Sequence, residues 1–290
     1  MTRNNIQNYF VILVLIISAT SIAQSNAFAA SAPNLGTADN FAVLAGSTIT
    51  CTGAGAIIGD IGVSPGTAIV LGATPCTVTG TINPGGPVAA HAHADASTAF
   101  TNLNAATCTT IEPAVADIGG QTLTPGVYCF PSSAAITGNL TLSGNGVYIF
   151  KVGSTLVTAA GPGASNVILT NGASASNVFW AVGSSATLGT GSVLKGTIIA
   201  FTSITATTNA AVDGRLLAIN GAVTLDTNQV SVTGTDNGNG NGNGGNGNGD
   251  NGKGDHDKDN NGKGDHDKGD HDKGEHDEGH HDKDSKSDRN

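Results

Sequence analysis

The sequence predicts a mainly β chain: an irregular β-solenoid with one long α-helix packed alongside and a disordered C-terminal tail. Three observations carry this reading. Short runs of Thr, Val, Ile and Ala are cut by Gly and Asn at close intervals, the pattern of many short strands. An apolar strand, a small-residue corner and a Thr-bearing strand recur along the body. One Ala-rich stretch, Val88–Ala106, has no internal Gly or Pro and reads as a helix of about five turns.

In chain order, 1–29 reads as a secretory signal. Arg3 makes the start weakly positive, Phe10–Ala19 is an apolar core too short to span a bilayer, and Ala27-Phe28-Ala29 fits a cleavage site ahead of Ala30. An uncleaved anchor is the alternative. The mature chain is expected to be secreted or extracellular, with association to the cell surface as a further option. The solenoid domain is expected over 30–235, a Gly/Asn-rich linker over 236–252 and a disordered Asp/His/Lys/Gly-rich tail over 253–290, since neither of the last two can bury apolar surface.

Within the body, the repeat sets the architecture. Phe41–Thr50 matches Tyr148–Val157, and matches Val178–Gly189 with one residue inserted. Ile198–Thr207 and Leu216–Asp226 are further copies. The last three copies place Thr at 187, 205 and 224, a step of about 18 residues that suits a coil with three short sides. The longer step from Thr155 to Thr187 implies an excursion containing Asn166–Thr170.

Strand side chains alternate between faces. Ile49, Leu156, Leu188, Ala206 and Leu225 are expected inside the coil. Thr48, Thr50, Thr155, Thr187, Thr205, Thr207 and Thr224 then form an outward ladder, interrupted by Val157 and Asp226, with Gly189 also outward. Between the early strands, Gly86 is expected to cap the helix with Pro87 as its first residue. Ala92, Ala96, Ala99, Phe100 and Leu103 form its apolar stripe.

Four cysteines in an exported chain imply two disulfides, with three pairings open. Neighbour pairing, Cys51–Cys76 and Cys108–Cys129, is favoured. Each bridge would close a short loop worth about 3 kcal/mol on the chain-entropy model. Their spacing does not suit structural zinc.

Composition bounds the function. Only 12% of the 290 residues are charged, about half the usual share. The net charge of −10 argues against nucleic acid as a partner. Residues 31–235 hold seven acids and three bases, too sparse for acid–base catalysis, so no enzyme and no cofactor is expected. Lys151 and Lys195 read as solvated charges and Asp213–Arg215 as a surface ion pair. His91 and His93 diverge on the helix and cannot share a metal. In the tail, His256, His266, His271, His276, His280 and His281 alternate with carboxylates and could bind divalent cations weakly. A solvating tail is the simpler reading. The sequon Asn139-Leu-Thr141 matters only in a glycosylating host.

At this point the body resembles the secreted microbial ice-binding proteins. The resemblance rests on Leu35–Thr50, Gly59–Gly66, Leu123–Tyr128, Asn177–Gly189, Gly196–Ala200, Gly214–Ala218 and Ala222–Asn228, and covers nearly all of 34–232. It implies a right-handed solenoid of triangular cross-section whose flat Thr-rich face adsorbs to ice. Several members of that family carry a Thr-x-x-Thr or Thr-x-x-Asn signature there, and Thr155–Thr158, Thr187–Thr190, Thr205–Thr208 and Thr224–Thr227 fit the first form. A monomer is expected, with the ice surface as partner and cell-surface components as further contacts of the tail. The rival reading is an exported cell-surface or adhesive module. A polysaccharide lyase on a β-helix is a third, disfavoured by the missing cluster of acids and bases.

Overall fold

The computed structural model describes residues 30–232. The signal, linker and tail expectations, including the six tail histidines, lie outside the described residues. Every strand pairing is parallel, and the strands stack into three ladders that form the sides of a solenoid. One side carries α1 (Gly86–Ala105), one carries the threonines, and the third runs through Asn139–Ser143 and Gln229–Ser231.

The order of coils is not the order of the chain. Strand Phe41–Ala45 lies between Asp60–Val63 and Ala211–Ala218, so the first coil stacks directly on the last. The chain builds one end of the solenoid with residues 41–84, and α1 then runs along one side. At 20 residues, α1 spans about 30 Å. Strand Thr110–Ile111 starts the other end, and successive coils return to meet the first.

The interior is predominantly apolar. Inward side chains of all three sides form one cluster that includes Ile49, Leu156, Leu188, Ala206 and Leu225, as the alternation requires. Tyr128, Phe150 and Trp180 stack through consecutive coils with ring centroids 5.4 and 3.9 Å apart. Their polar tips stay bonded: Trp180 Nε1 donates to Lys195 O at 3.0 Å and Tyr128 Oη to Thr124 O at 2.7 Å. Two strands of eight residues, Val193–Ala200 and Ala211–Ala218, turn a corner in mid-strand at Gly196 and Gly214. Gly214 has φ +148°, and a Cβ there would lie 2.0 Å from Gly196 O, so only glycine stacks at this corner.

A second cluster seals α1 to the solenoid. Ala89, Ala92, Ala96, Ala99 and Leu103 are its buried positions, and Phe100 is only half-buried. Small residues let the helix lie close to Leu44, Ile149, Phe179 and Leu217. The N-cap is Gly85 rather than Gly86, one residue earlier than expected, and both glycines hold positive φ, +80° and +81°. Polar bonds fix the helix at three points. Asp95 accepts from Thr37 N at 2.7 Å and Thr37 Oγ1 at 2.6 Å. His93 Nε2 meets Ile219 O at 2.5 Å. Lys151 Nζ donates to Ala106 O at 2.7 Å.

That last bond corrects the reading of Lys151 as a solvated charge: it neutralises the carbonyl end of the helix. Lys195 is not merely solvated either, since its Nζ lies 3.2 Å from Asp213 Oδ2. Asp213 and Arg215 do not pair. Gly214 bends the strand between them, and Arg215 turns inward, 5% exposed, to bind the Asp39 carboxylate at 2.5 Å and its carbonyl at 2.7 Å. The expected excursion at Asn166–Thr170 is instead an ordinary ladder strand stacked on Asn139–Ser143. The extra length lies in two short 3-10 turns on either side of it, Gly161–Gly163 and Ala175–Asn177. Both expected disulfides are present, Cys51–Cys76 and Cys108–Cys129, with Cα–Cα distances of 6.1 and 5.8 Å. Among the described residues no helix is long and apolar enough to cross a membrane.

Candidate functional site

The threonine side is an eight-strand ladder of short segments, most of them three to five residues long. Short straight strands between tight corners keep it flat, because twist has little length over which to accumulate. Its central outward row is set by register: Val70, Thr50, Thr224, Thr205, Thr187, Val157, Ala135 and Asp117 stack in that order. Adjacent members are about 4.8 Å apart. Four consecutive threonines occupy its middle. Among the described residues, no hydrogen bond within the protein engages the hydroxyls of Thr50, Thr187, Thr205 or Thr224. They are left to solvent or to whatever docks.

The other three sequence-predicted threonines face outward but sit in neighbouring rows. Thr48 pairs with Ala68, and Thr155 donates to Ser133 Oγ at 2.9 Å. Both belong to a flanking row of small hydroxyls that includes Ser185 and Ser203. Thr207 lies on the opposite flank, its hydroxyl donating to Leu188 O at 2.8 Å.

The alignment of Thr155 with Thr187 is therefore corrected. Leu156 stacks on Ala186 and Val157 on Thr187, with no residue inserted. Corner geometry sets this register: Gly183 N bonds Val152 O and Ser184 N bonds Ser154 O, so Gly-Ser stacks on Gly-Ser. Val157 does not interrupt the threonines but extends their row as a 45%-exposed methyl-bearing member. Asp226 does not interrupt it either, since it pairs with Thr52 on the flank. Gly189 is buried rather than outward, and its N–H donates to Thr158 Oγ1 at 2.8 Å. Thr158 itself is 3% exposed and bonds Ser192 Oγ, so the first Thr-x-x-Thr copy turns its second threonine inside.

Two carboxylates touch this side, and both are tied down. Asp117, at the far end of the central row, accepts from the N–H groups of Gly119 and Thr137 at 2.9 Å each. Burial pushes its pKa up, but those donors outweigh it and hold the group below the usual 3.8. Asp226 accepts from the hydroxyls of Thr208 at 2.5 Å, Thr227 at 3.2 Å and Thr52 at 3.4 Å. Thr208 is the main cause that holds its pKa below the usual 3.8. The structure provides no grouped metal ligands among the described residues. A cavity of about 450 Å³ is lined by residues 30–34 and the end of α1, away from the threonine ladder.

A surface of this kind can do little covalent chemistry. It can present a rigid, weakly charged lattice of hydroxyls and methyls. The family model described as ice-binding-like matches residues 43–231. An ice-binding protein from Nostoc sp. (strain HG1) is 50% identical over 224 residues, covering 76% of this chain and 81% of that protein. One from Flavobacterium frigoris (strain PS1) is 36% identical, over 69% of this chain and 76% of its own length. The crystal structure of an ice-binding protein from the Antarctic ascomycete Antarctomyces psychrotrophicus superposes with a TM-score of 0.67 at 42% identity, covering 71% of this chain and all of that one. These matches run through the coils that build the ladder, and the chain belongs to the ice-binding-like family.

Proposed function

We propose that this chain is a secreted antifreeze or ice-recrystallisation-inhibiting protein that adsorbs to ice, as a monomer, through the threonine side of the solenoid. One observation carries the reading: four threonines in register at its centre, with hydroxyls unengaged by the protein. A rigid row at about 4.8 Å is close to the oxygen repeat of ice. Methyl groups beside each hydroxyl lower the cost of displacing bulk water. No loop has to be ordered on docking, so the entropic cost is small.

The mode is adsorption rather than catalysis. Among the described residues, Asp39, Asp95, Asp117, Lys151, Lys195 and Arg215 are each engaged in a structural bond. Thr50, Thr187, Thr205 and Thr224 form the centre of the contact, with Thr48, Thr155 and Thr207 at its margins. The tail, 253–290, serves solubility and makes any contact with cations or a cell surface. The test is direct: the purified domain, at micromolar concentration in a nanolitre osmometer, should shape ice crystals and show thermal hysteresis. A domain that neither shapes ice nor slows recrystallisation ends this reading in favour of an adhesive surface module.

A further inference from the structure

One edge of the threonine side is organised around a single carboxylate. Asp226 closes strand Val223–Asp226 with the same outward parity as Thr224 two residues earlier. Three hydroxyls reach it from three different segments: Thr208 from the coil on one side, Thr227 from the following turn, and Thr52 from the coil on the other side, whose proton is shared with Leu225 O at 3.3 Å. Thr227 has φ +57°, a conformation that a threonine seldom adopts. Asn228 locks that turn. Its Oδ1 accepts from Asp226 N at 2.6 Å, and its buried Nδ2 donates to Thr207 O and Ala210 O at 2.8 Å each. The aspartate is thus held from below and capped by threonines from above. The edge continues as a hydroxyl contact between Thr190 and Thr207 at 3.1 Å.

A threonine hydroxyl has one proton and two lone pairs. Left alone it rotates, and it offers water a donor or an acceptor in turn. A hydroxyl that gives its proton to a carboxylate cannot do so. Its lone pairs are what remain for water. Both carboxylate oxygens in turn accept from protein hydroxyls, so it draws less liquid-like hydration than an aspartate with no such partners would.

We propose that Asp226 is a positioning residue for the ice-contacting surface: it orients Thr208 and Thr227, and with Leu225 O also Thr52, into a fixed acceptor edge beside the central threonine row. The proposal rests on the function proposed above and adds a residue that acts through its neighbours. The neighbouring segments 48–52 and 204–210 carry no acidic or basic side chain, and their one cysteine is in a disulfide, so titration at this edge is that of Asp226.

The experiment compares the wild-type chain with Asp226→Asn, measuring thermal hysteresis at 0 °C from pH 7 down to pH 2, with circular dichroism at each pH. An asparagine keeps the size but brings an NH₂ that must itself donate, so at least one hydroxyl has to turn over. Asp226→Asn should show a two-fold or greater loss of hysteresis at pH 7 with unchanged circular dichroism. Wild-type hysteresis should hold at pH 4 and fall below the ordinary carboxyl range, more steeply than in the variant, which keeps only Asp117 as a titrating carboxylate of the central row. Equal hysteresis at pH 7, or parallel pH profiles, overturns the proposal. Should Asp226→Asn fail to fold, Thr208→Val replaces it, and unchanged hysteresis in that variant overturns the proposal equally. A wild-type chain with no hysteresis at any pH would instead sink the ice-binding reading on which this one rests.

Discussion

Replacing Thr205 by tyrosine isolates the contact from the fold. Thr205 sits in the central row between Thr224 and Thr187. The row from Thr50 to Thr187 crosses three ladder steps, about 14 Å. Even lying flat, an aromatic ring interposes a layer of atoms about 3.5–4 Å thick. A hydroxyl hydrogen bond spans only about 2.7–2.8 Å. The docked ice plane is therefore lifted beyond bonding distance over Thr205 and both stacked neighbours. At about 0.5–1.5 kcal/mol net for each of three hydroxyls, the loss is about 1.5–4.5 kcal/mol. That corresponds to about ten- to a thousand-fold in adsorption. The fold should hardly notice, because tyrosine suits a strand and an exposed substitution changes stability by about 0.5 kcal/mol or less. The melting temperature should move by about 2 °C at most. Nanolitre osmometry should show hysteresis near the buffer value for Thr205→Tyr. Thr205→Ser keeps the hydroxyl, forfeits about 0.8 kcal/mol of methyl contact and should lose less. Thr141→Tyr, on the third side, should match wild type. Full hysteresis in Thr205→Tyr, or an equal loss in Thr141→Tyr, refutes the assignment of this side as the contact.

Three further outcomes follow from the fold. Lys151→Met leaves Ala106 O without its donor at the end of α1, and should cost about 1–2 kcal/mol, a fall of about 2–8 °C by calorimetry. Asp95 has its pKa lowered chiefly by the Thr37 hydroxyl, so its folded form prefers the charge. Its contribution is present above the ordinary carboxyl value and lost as pH falls through the lowered one. The melting temperature should be level from pH 5 to 8 and decline below about pH 4, and Asp95→Asn should flatten part of that decline. Replacing Cys108 and Cys129 together by serine opens a loop of sequence separation 21 and should cost about 3 kcal/mol, or about 6–12 °C.

Much of this molecule is legible from residue order because its information is local. Alternation of small polar and apolar residues assigns Ile49, Leu188 and Leu225 to the inside and Thr50, Thr187 and Thr224 to the outside, whatever the register. The helix is legible because nothing else in the body is free of glycine and proline for so long. The disulfides close between sequence neighbours. What escapes is anything that depends on which coil lies beside which. Thr155 and Thr187 each precede a leucine, so a match by residue type slides one coil past the other. The stacked Gly-Ser corners oppose that slide, and Ala186 fills the inward position that Leu156 takes in the coil beside it. Arg215 finds Asp39 across 176 residues only because the first coil docks on the last.

The same long-range closure explains why the threonine row has four members and not three. Thr50 belongs to the first coil and Thr224 to the last of the returning coils, and they are neighbours only after the chain has come back along the solenoid. Closure does more than complete a core. It joins the row Thr187, Thr205 and Thr224 to Thr50, and brings Thr52 against Asp226, so that both the centre and the edge of the contact surface are built across the seam. Opening of that seam would cost the protein its binding surface before it cost most of its strands. The coil that docks last in space therefore lies at the heart of the candidate site.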